Sequence, residues 1–193
     1  MDFKKLANQY RDELLDNVLP FWLEHSQDIE FGGYFSCLDR EGKVFDTDKF
    51  IWLQGREVWM FSMLYNKVEK RQEWLDCAVQ GGEFLKKYGH DGNYNWYFSL
   101  DRSGRPLVEP YNIFSYTFAT MAFGQLSLAT GNQEYADIAK KTFKIILSKV
   151  DNPKSKWNKL HPGTRNLKNF ALPMILCNLA LEIEHLLDPG YLE

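Results

Sequence analysis

Three times along the chain, a helical segment with one apolar face is followed by a segment that is apolar on every side, and few folds accommodate that alternation. From Phe3 to Trp22 the apolar residues Phe3, Leu6, Tyr10, Leu14, Val18 and Trp22 recur at helical spacing, while Lys4, Lys5, Arg11, Asp12 and Asp16 fill the opposite face. The segments Glu73–Tyr88 and Gln133–Ser148 repeat the one-faced pattern. Those at Phe50–Tyr65 and Tyr111–Ala129 carry apolar residues all round, and that near Leu167–Leu187 on most sides, which is how a helix reads when protein surrounds it. Antiparallel pairs of this kind predict two concentric layers, the fully apolar helices inside and the one-faced helices outside. The expected shape is an all-α toroid.

Between the helices run two copies of one short motif. YFSCLDREGK, which follows Gly32-Gly33, returns as YFSLDRSGR, and each reads as a small β-hairpin, over Glu30–Asp46 and Asn93–Val108. Asp39 and Asp101 stand 62 positions apart, as do Leu64 and Leu126, so hairpin and following helix form an internal repeat. Gly89 and Gly131 close the helices before them, and Pro173 is expected to bend the last helix or mark its first turns. A toroid must close, whereas three helical pairs make an arc whose last inner helix lacks a neighbour. The expectation is that residues 1–193 form the N-terminal half of a single domain.

Composition narrows the partners. A formal charge of -3 and a pI near 5.9 provide no basic field for nucleic acid, and no polybasic block marks a membrane surface. Cys37, Cys77 and Cys177 are an odd, widely spaced set without a CxxC pair, which signals neither a disulfide framework nor a metal site. No export signal or membrane-length apolar run is recognisable, so a cytoplasmic location is expected. A small-molecule ligand is the class left open.

One residue sits badly in its surroundings. Arg56 lies in the middle of the all-round apolar segment FIWLQGREVWMFSMLY, with Trp52, Trp59 and Met63 at helical spacing on its face. A guanidinium in such a setting needs a carboxylate, a polar cavity or an anionic ligand. Two readings stay open: a structural ion pair, or an arginine pointing into an aromatic-lined pocket, with Gly55 allowing a backbone or ligand to approach closely. Asp39 and Asp101 are symmetric carboxylates of the sort a glycosidase sets across its scissile bond. Each precedes a glycine-containing turn, however, and reads better as a turn residue. The four histidines, His25, His90, His161 and His185, are scattered and read as surface or capping residues. The loop DNPKSKWNKLHPGTR gathers Lys154, Lys156, Lys159 and Arg165 around Trp157 and Asn158, which is either a solvated basic loop or a surface for phosphates and an adenine ring. It contains no GxxxxGK[ST].

Three runs, FWLEHSQDIEFGGYFSCLDREGKVFDTDKFIWLQGREVWMF, IFSYTFATMAF and ALPMILCNLALEIE, carry a resemblance across the whole chain to the N-acylglucosamine 2-epimerase family, with its cellobiose 2-epimerase and aldose-ketose isomerase relatives. The resemblance implies an (α/α)6 barrel of six helical hairpins, about twice this length, with the sugar bound among the inner helices. It also implies interconversion of N-acetylglucosamine and N-acetylmannosamine, by removal of the C2 proton from the ring-opened sugar and its return to the opposite face of an enediolate. In that scheme Arg56 stabilises the enediolate oxygen, and Trp52, Phe114 and Tyr116 belong to the sugar pocket. The family's two proton-transfer histidines lie in its C-terminal half, and none of the four here fits their role, so the 193 residues alone are expected to be inactive. The basic loop would bind ATP, through Lys154, Lys156, Asn158 and Lys159, as an activator that is not consumed. Met174 stands where isomerase and cellobiose-epimerase relatives carry a histidine, which favours the N-acyl branch. A homodimer is implied for the complete enzyme. The alternatives are an inactive or binding-only half-barrel and a related sugar isomerase or cellobiose epimerase.

Overall fold

In the computed structural model, residues 2–110, 113–150 and 170–188 are described. Helix α1 (Phe3–Glu13) is capped by Asp2, whose carboxylate accepts from the amides of Lys4 and Lys5 at 3.1 Å each. It runs through a π turn at Leu14–Val18 into α2 (Leu19–His25), so the single amphipathic helix expected over Phe3–Trp22 is one helical stretch with a local widening. Pro20, which has no amide to donate, follows that widening directly.

The remaining helices are α3 (Ile51–Lys67), α4 (Gln72–Tyr88), α5 (Phe114–Thr130), α6 (Gln133–Ser148) and α7 (Ala171–Glu182), the last followed by a short 3-10 turn at Glu184–Leu186. Pro173 lies in the first turn of α7, where its missing amide costs no helical bond. Helix α5 is the most enclosed, buried almost continuously from Ser115 to Ser127. It packs against α3 on one side and α7 on the other, while α4 lies behind α3 and α6 behind α5. These are the two layers the alternation predicts, with α3, α5 and α7 inside. At the α3–α5 crossing a side chain on Gly55 would come within 2.9 Å of the backbone of Phe118, so only glycine lets the two inner helices meet this closely.

Helix α3 departs from expectation. Its Ile51, Gln54, Gly55, Val58, Phe61, Ser62 and Leu64 are buried, but Leu53, Trp59, Met60 and Met63 are only half-buried and Arg56 is exposed. The sequence shows apolar residues all round because α3 is covered by α4 and α5 and leaves a further apolar face uncovered. Helix α7 is uncovered in the same way, with Phe170, Met174 and Leu181 exposed by 75%, 56% and 67%.

The hairpins form as expected, β1 (Cys37–Leu38) pairing with β2 (Val44–Asp46), and β4 (Ser99–Leu100) with β5 (Pro106–Val108). Their turns use Gly42 and Gly104 at φ of 83° and 94°. Asp39 accepts from the amides of Glu41 and Lys43, and Asp101 from the Arg105 amide and the Ser103 hydroxyl, so both carboxylates are spent inside their own turns. Those bonds, the Arg105 amide foremost, hold Asp101 well below the usual carboxylate range. The unexpected strand is β3 (Lys49–Phe50), which adds to β4 and joins the first repeat to the second in a three-stranded sheet.

That junction is fastened by buried charge. Lys49 is fully buried, and its ammonium donates to Asp28 Oδ2 at 2.9 Å, to the Gly32 carbonyl at 2.6 Å and to the Arg102 carbonyl at 2.9 Å. Arg102 closes on the same carboxylate, with Nε 3.0 Å from Oδ2 and Nη2 3.1 Å from Oδ1. Nearby, the Gln54 side chain imitates a strand neighbour, accepting from the Tyr34 amide and donating to the Tyr34 carbonyl, both at 2.8 Å. The Tyr34 hydroxyl then donates to the Cys77 carbonyl at 2.8 Å, fixing the first hairpin to α4.

Candidate functional site

Among the described residues, Arg56 is placed by aromatic rings. Its guanidinium carbon lies 5.0 Å from the Trp52 ring centre, one turn earlier on α3, and 4.3 Å from that of Phe118 on α5. The Trp52 and Phe118 rings are themselves 6.4 Å apart, so the three side chains form one group. No ion pair to Arg56 forms among the described residues, so the structural-pair reading finds no partner there, and the exposed cation has its hydrogen-bond donors free of any carboxylate among them. Phe118 was not anticipated as its partner, although the repeat carries the signal: it stands 62 positions after Arg56.

The pocket residues expected on α5 divide by helix face. Phe114 is half-buried one turn before Phe118 and on its side. Tyr116 is turned away into the core, with its hydroxyl 3.4 Å from Asn95 Oδ1 and the Lys149 ammonium 5.2 Å from its ring. Burial pushes that phenol up to about 12. The structure therefore brings Trp52 to Arg56, keeps Phe114 in line with it, and does not bring Tyr116 there. Lys154, Lys156, Asn158 and Lys159, with His161, lie outside the described residues. His25 packs on Phe21 at the end of α2, and His90 lies between Tyr94 and Trp96, away from Arg56.

Beside Arg56 a cleft of about 290 Å³ opens, lined by Trp22, Ser36, Leu53, Arg56, Glu57 and Met60. Burial pushes the Glu57 carboxyl up to about 8, and its contact with Ser26 opposes that rise only in so far as Ser26 is the donor. The Ser26 hydroxyl also donates to the Trp22 carbonyl at 2.6 Å. One hydroxyl proton cannot serve both contacts, whereas a protonated Glu57 that donates to Ser26 Oγ satisfies both. Because the folded chain keeps this proton to about pH 8 and an ordinary glutamate releases it near 4.5, stability falls as pH rises between those values. Glu57→Gln, which can donate the same bond, is expected to stabilise the chain by roughly 3 kcal/mol at pH 7 and to flatten that slope. Urea unfolding at several pH values measures both, and a variant with an unaltered slope would show that Glu57 is charged in the fold.

Deeper along the inner layer, Glu182 of α7 accepts from Trp59 Nε1 at 2.9 Å and from Gln125 Nε2 at 3.1 Å, and Asn66 donates to Gln125 Oε1 at 3.1 Å. This polar chain ties α3, α5 and α7 together below Arg56. Among the described residues no group of His, Cys, Asp and Glu could hold a metal ion, and no helix is long and apolar enough to cross a membrane.

Paired helices in two layers, with an arginine that has no ion pair among the described residues laid on aromatic rings of the inner one, define a segment of a helical barrel. Residues 33–193 match the N-acylglucosamine 2-epimerase (GlcNAc 2-epimerase) family, and the chain belongs to it. It is 41% identical over 174 residues to the N-acylglucosamine 2-epimerase of Bos taurus, covering 88% of this chain and 41% of that protein. The cellobiose 2-epimerase of Dictyoglomus turgidum is 30% identical over 148 residues, covering 76% of this chain and 38% of that one. Among solved structures, the cellobiose 2-epimerase of Spirochaeta thermophila superposes with a TM-score of 0.81 at 19% identity, over 97% of this chain and 51% of that one. The fold is thus part of an (α/α)6 barrel, and the chain spans about two fifths of the length of the curated relatives it matches.

Proposed function

We propose that this chain provides the arginine side of the sugar pocket in a carbohydrate epimerase that interconverts N-acetylglucosamine and N-acetylmannosamine. The observation that carries the reading is the guanidinium of Arg56, which has no carboxylate partner among the described residues and is held on two aromatic rings of the inner helices. An enediolate oxygen formed on removal of the C2 proton is the anion such a group would meet, and a cation positioned in advance stabilises it without reorganising. Trp52, Phe118 and Phe114 would give the sugar an apolar wall. Greater identity to the N-acylglucosamine enzyme of Bos taurus than to the cellobiose enzyme of Dictyoglomus turgidum, and Met174 at its place on α7, support the N-acyl sugar as substrate. Proton transfer requires two bases, which this reading assigns to histidines outside these 193 residues.

The test is to incubate the natural gene product with N-acetylmannosamine in deuterated water. N-acetylglucosamine labelled at C2 is the expected product. Unlabelled product, or conversion of cellobiose instead, overturns the mechanism or the substrate. The same reading takes ATP as an activator bound by Lys154, Lys156, Asn158 and Lys159, and a homodimeric complete enzyme working in cytoplasmic amino-sugar metabolism. Replacing Lys154, Lys156 and Lys159 together by alanine is then expected to abolish stimulation by ATP while sparing basal turnover. An unchanged ATP-activation curve would remove the loop from the proposal.

A further inference from the structure

Helix α7 is apolar but for two side chains, Asn178 and Glu182, which stand one turn apart on the same face. The contacts of Glu182 show where that face looks. Its Oε2 accepts from Trp59 Nε1 of α3 at 2.9 Å and from Gln125 Nε2 of α5 at 3.1 Å, so the side chain reaches across the middle inner helix to the first. Gln125 belongs to the α5 stripe of Phe114, Phe118, Met121, Gln125 and Leu128, which is half-buried at its first two members and 47% exposed at its last. Phe118 of this stripe is the ring that lies on Arg56. The outer helices α4 and α6 lie behind, so Glu182 and Arg56 share the concave face of the inner layer.

Two opposite charges thus look into one space, and they form no ion pair with each other. Trp59 follows Arg56 by three residues, about 4.5 Å of helix rise, so the carboxylate meets α3 nearly one turn deeper than the guanidinium leaves it. Both bonds to Glu182 fall on Oε2, and Oε1 accepts none among the described residues. Tying three helices together needs a single acceptor oxygen, which a neutral amide side chain would provide as well. The negative charge and the second oxygen are what that tie leaves unused.

A carboxylate with one oxygen held and the other free is a strong acceptor for hydroxyl groups, because a bond to a charged partner is worth more than one between neutral groups. A sugar opened to its chain form has a carbonyl oxygen at one end, which becomes anionic in the enediolate, and hydroxyl donors along the rest. We propose that Glu182 is a substrate-binding residue whose Oε1 accepts from a hydroxyl group of the sugar chain, while Arg56 receives the oxygen at the reactive end. Trp59 and Gln125 are its positioning residues, since they fix Oε2 and so aim Oε1. The pocket then has a polarity, cation toward the helix N-termini and anion further in, that admits the chain in one direction. The inference rests on the sugar pocket proposed above and adds a second anchoring point to it.

The test compares the natural gene product with its Glu182→Gln variant, which keeps an oxygen for Trp59 and Gln125 and puts an amide donor where Oε1 stood. The probe is the alcohol made by reducing N-acetylmannosamine, which keeps the chain and its hydroxyls but has no carbonyl and cannot react. By calorimetry the variant is expected to bind it roughly 10- to 100-fold more weakly. Among alcohols lacking one hydroxyl from C3 to C6, one should lose that same factor with the natural protein and almost nothing further with the variant. Equal affinity of the two proteins, or no binding by either, overturns the inference. So does a variant that loses affinity equally for every alcohol, which would mark a tie between helices and nothing more. Epimerisation of N-acetylmannosamine is assayed on the same samples, where KM should rise and kcat hold. Turnover with no effect of the variant on KM or affinity removes this inference alone. Weakened binding of the alcohol by the variant, in a protein that never turns the sugar over, removes the activity proposed above and leaves this one.

Discussion

Arg56→Ala is expected to lower the turnover of the enzyme that carries this chain by roughly 10²- to 10³-fold, the usual cost of removing one preorganised donor from a developing oxyanion. The effect should fall on kcat more than on KM, because the enediolate exists only after the C2 proton has left. Stability should hardly change. The guanidinium is exposed and has no ion-pair partner among the described residues, so its removal orphans no buried charge and forfeits only its contacts with Trp52 and Phe118. Arg56→Lys keeps the charge but loses the flat, delocalised group that rests on both rings, and should recover little of the lost rate. Near-normal kcat in the alanine variant, or a rise in KM alone, would take Arg56 out of the chemistry.

Asp28→Ala should have the largest effect on stability. It removes the carboxylate paired with the buried Lys49 ammonium and leaves Arg102 only its pair with Glu30, so a charge is stranded in the interior at a cost of about 3–5 kcal/mol. The paired replacement Asp28→Asn with Lys49→Met removes both charges and should recover most of that loss. Urea unfolding of the three proteins decides the matter, and a single-variant loss below about 1 kcal/mol would mean the cluster adds little. Acid offers a second view. Burial works to raise the Asp28 carboxyl, but hydrogen bonds from Arg102 and Lys49 outweigh it and hold the group below its ordinary 3.8. Its stabilising share is therefore complete above that value and fades only as pH falls through the lower folded one.

The layered architecture was legible because it is written in periodicity. The one-faced patterns of α4 and α6 and the all-round patterns of α3, α5 and α7 assign each helix to its layer, and helix α6 ends where expected, at Gln133–Ser148. Gly131, left-handed at φ 71°, ends α5 as its type suggests, whereas Gly89 ends α4 in an ordinary helical conformation. Phase was harder to read. A helix with no polar face gives no indication of which side looks where, so Phe114 and Tyr116 looked alike although they point in different directions. The Asp28–Lys49–Arg102 cluster was hidden for another reason: its members are up to 74 positions apart and each, alone, resembles a surface charge. Glu57 was overlooked because its neutrality comes from its surroundings, chiefly burial and the second bond made by Ser26.

Gly55 bears on the reach of the arginine. With no atom of its own beyond the backbone, it lets Phe118 approach from the next helix and lie against the neighbouring guanidinium. The position of the cation is thus gauged by the distance between two helix axes and not by a tether to an anionic side chain. A methyl group at residue 55 would act as a shim, widening the aperture between α3 and α5 and drawing the ring of Phe118 off Arg56. Such a change could retune the spot an incoming oxygen must occupy while every residue that touches it stays the same.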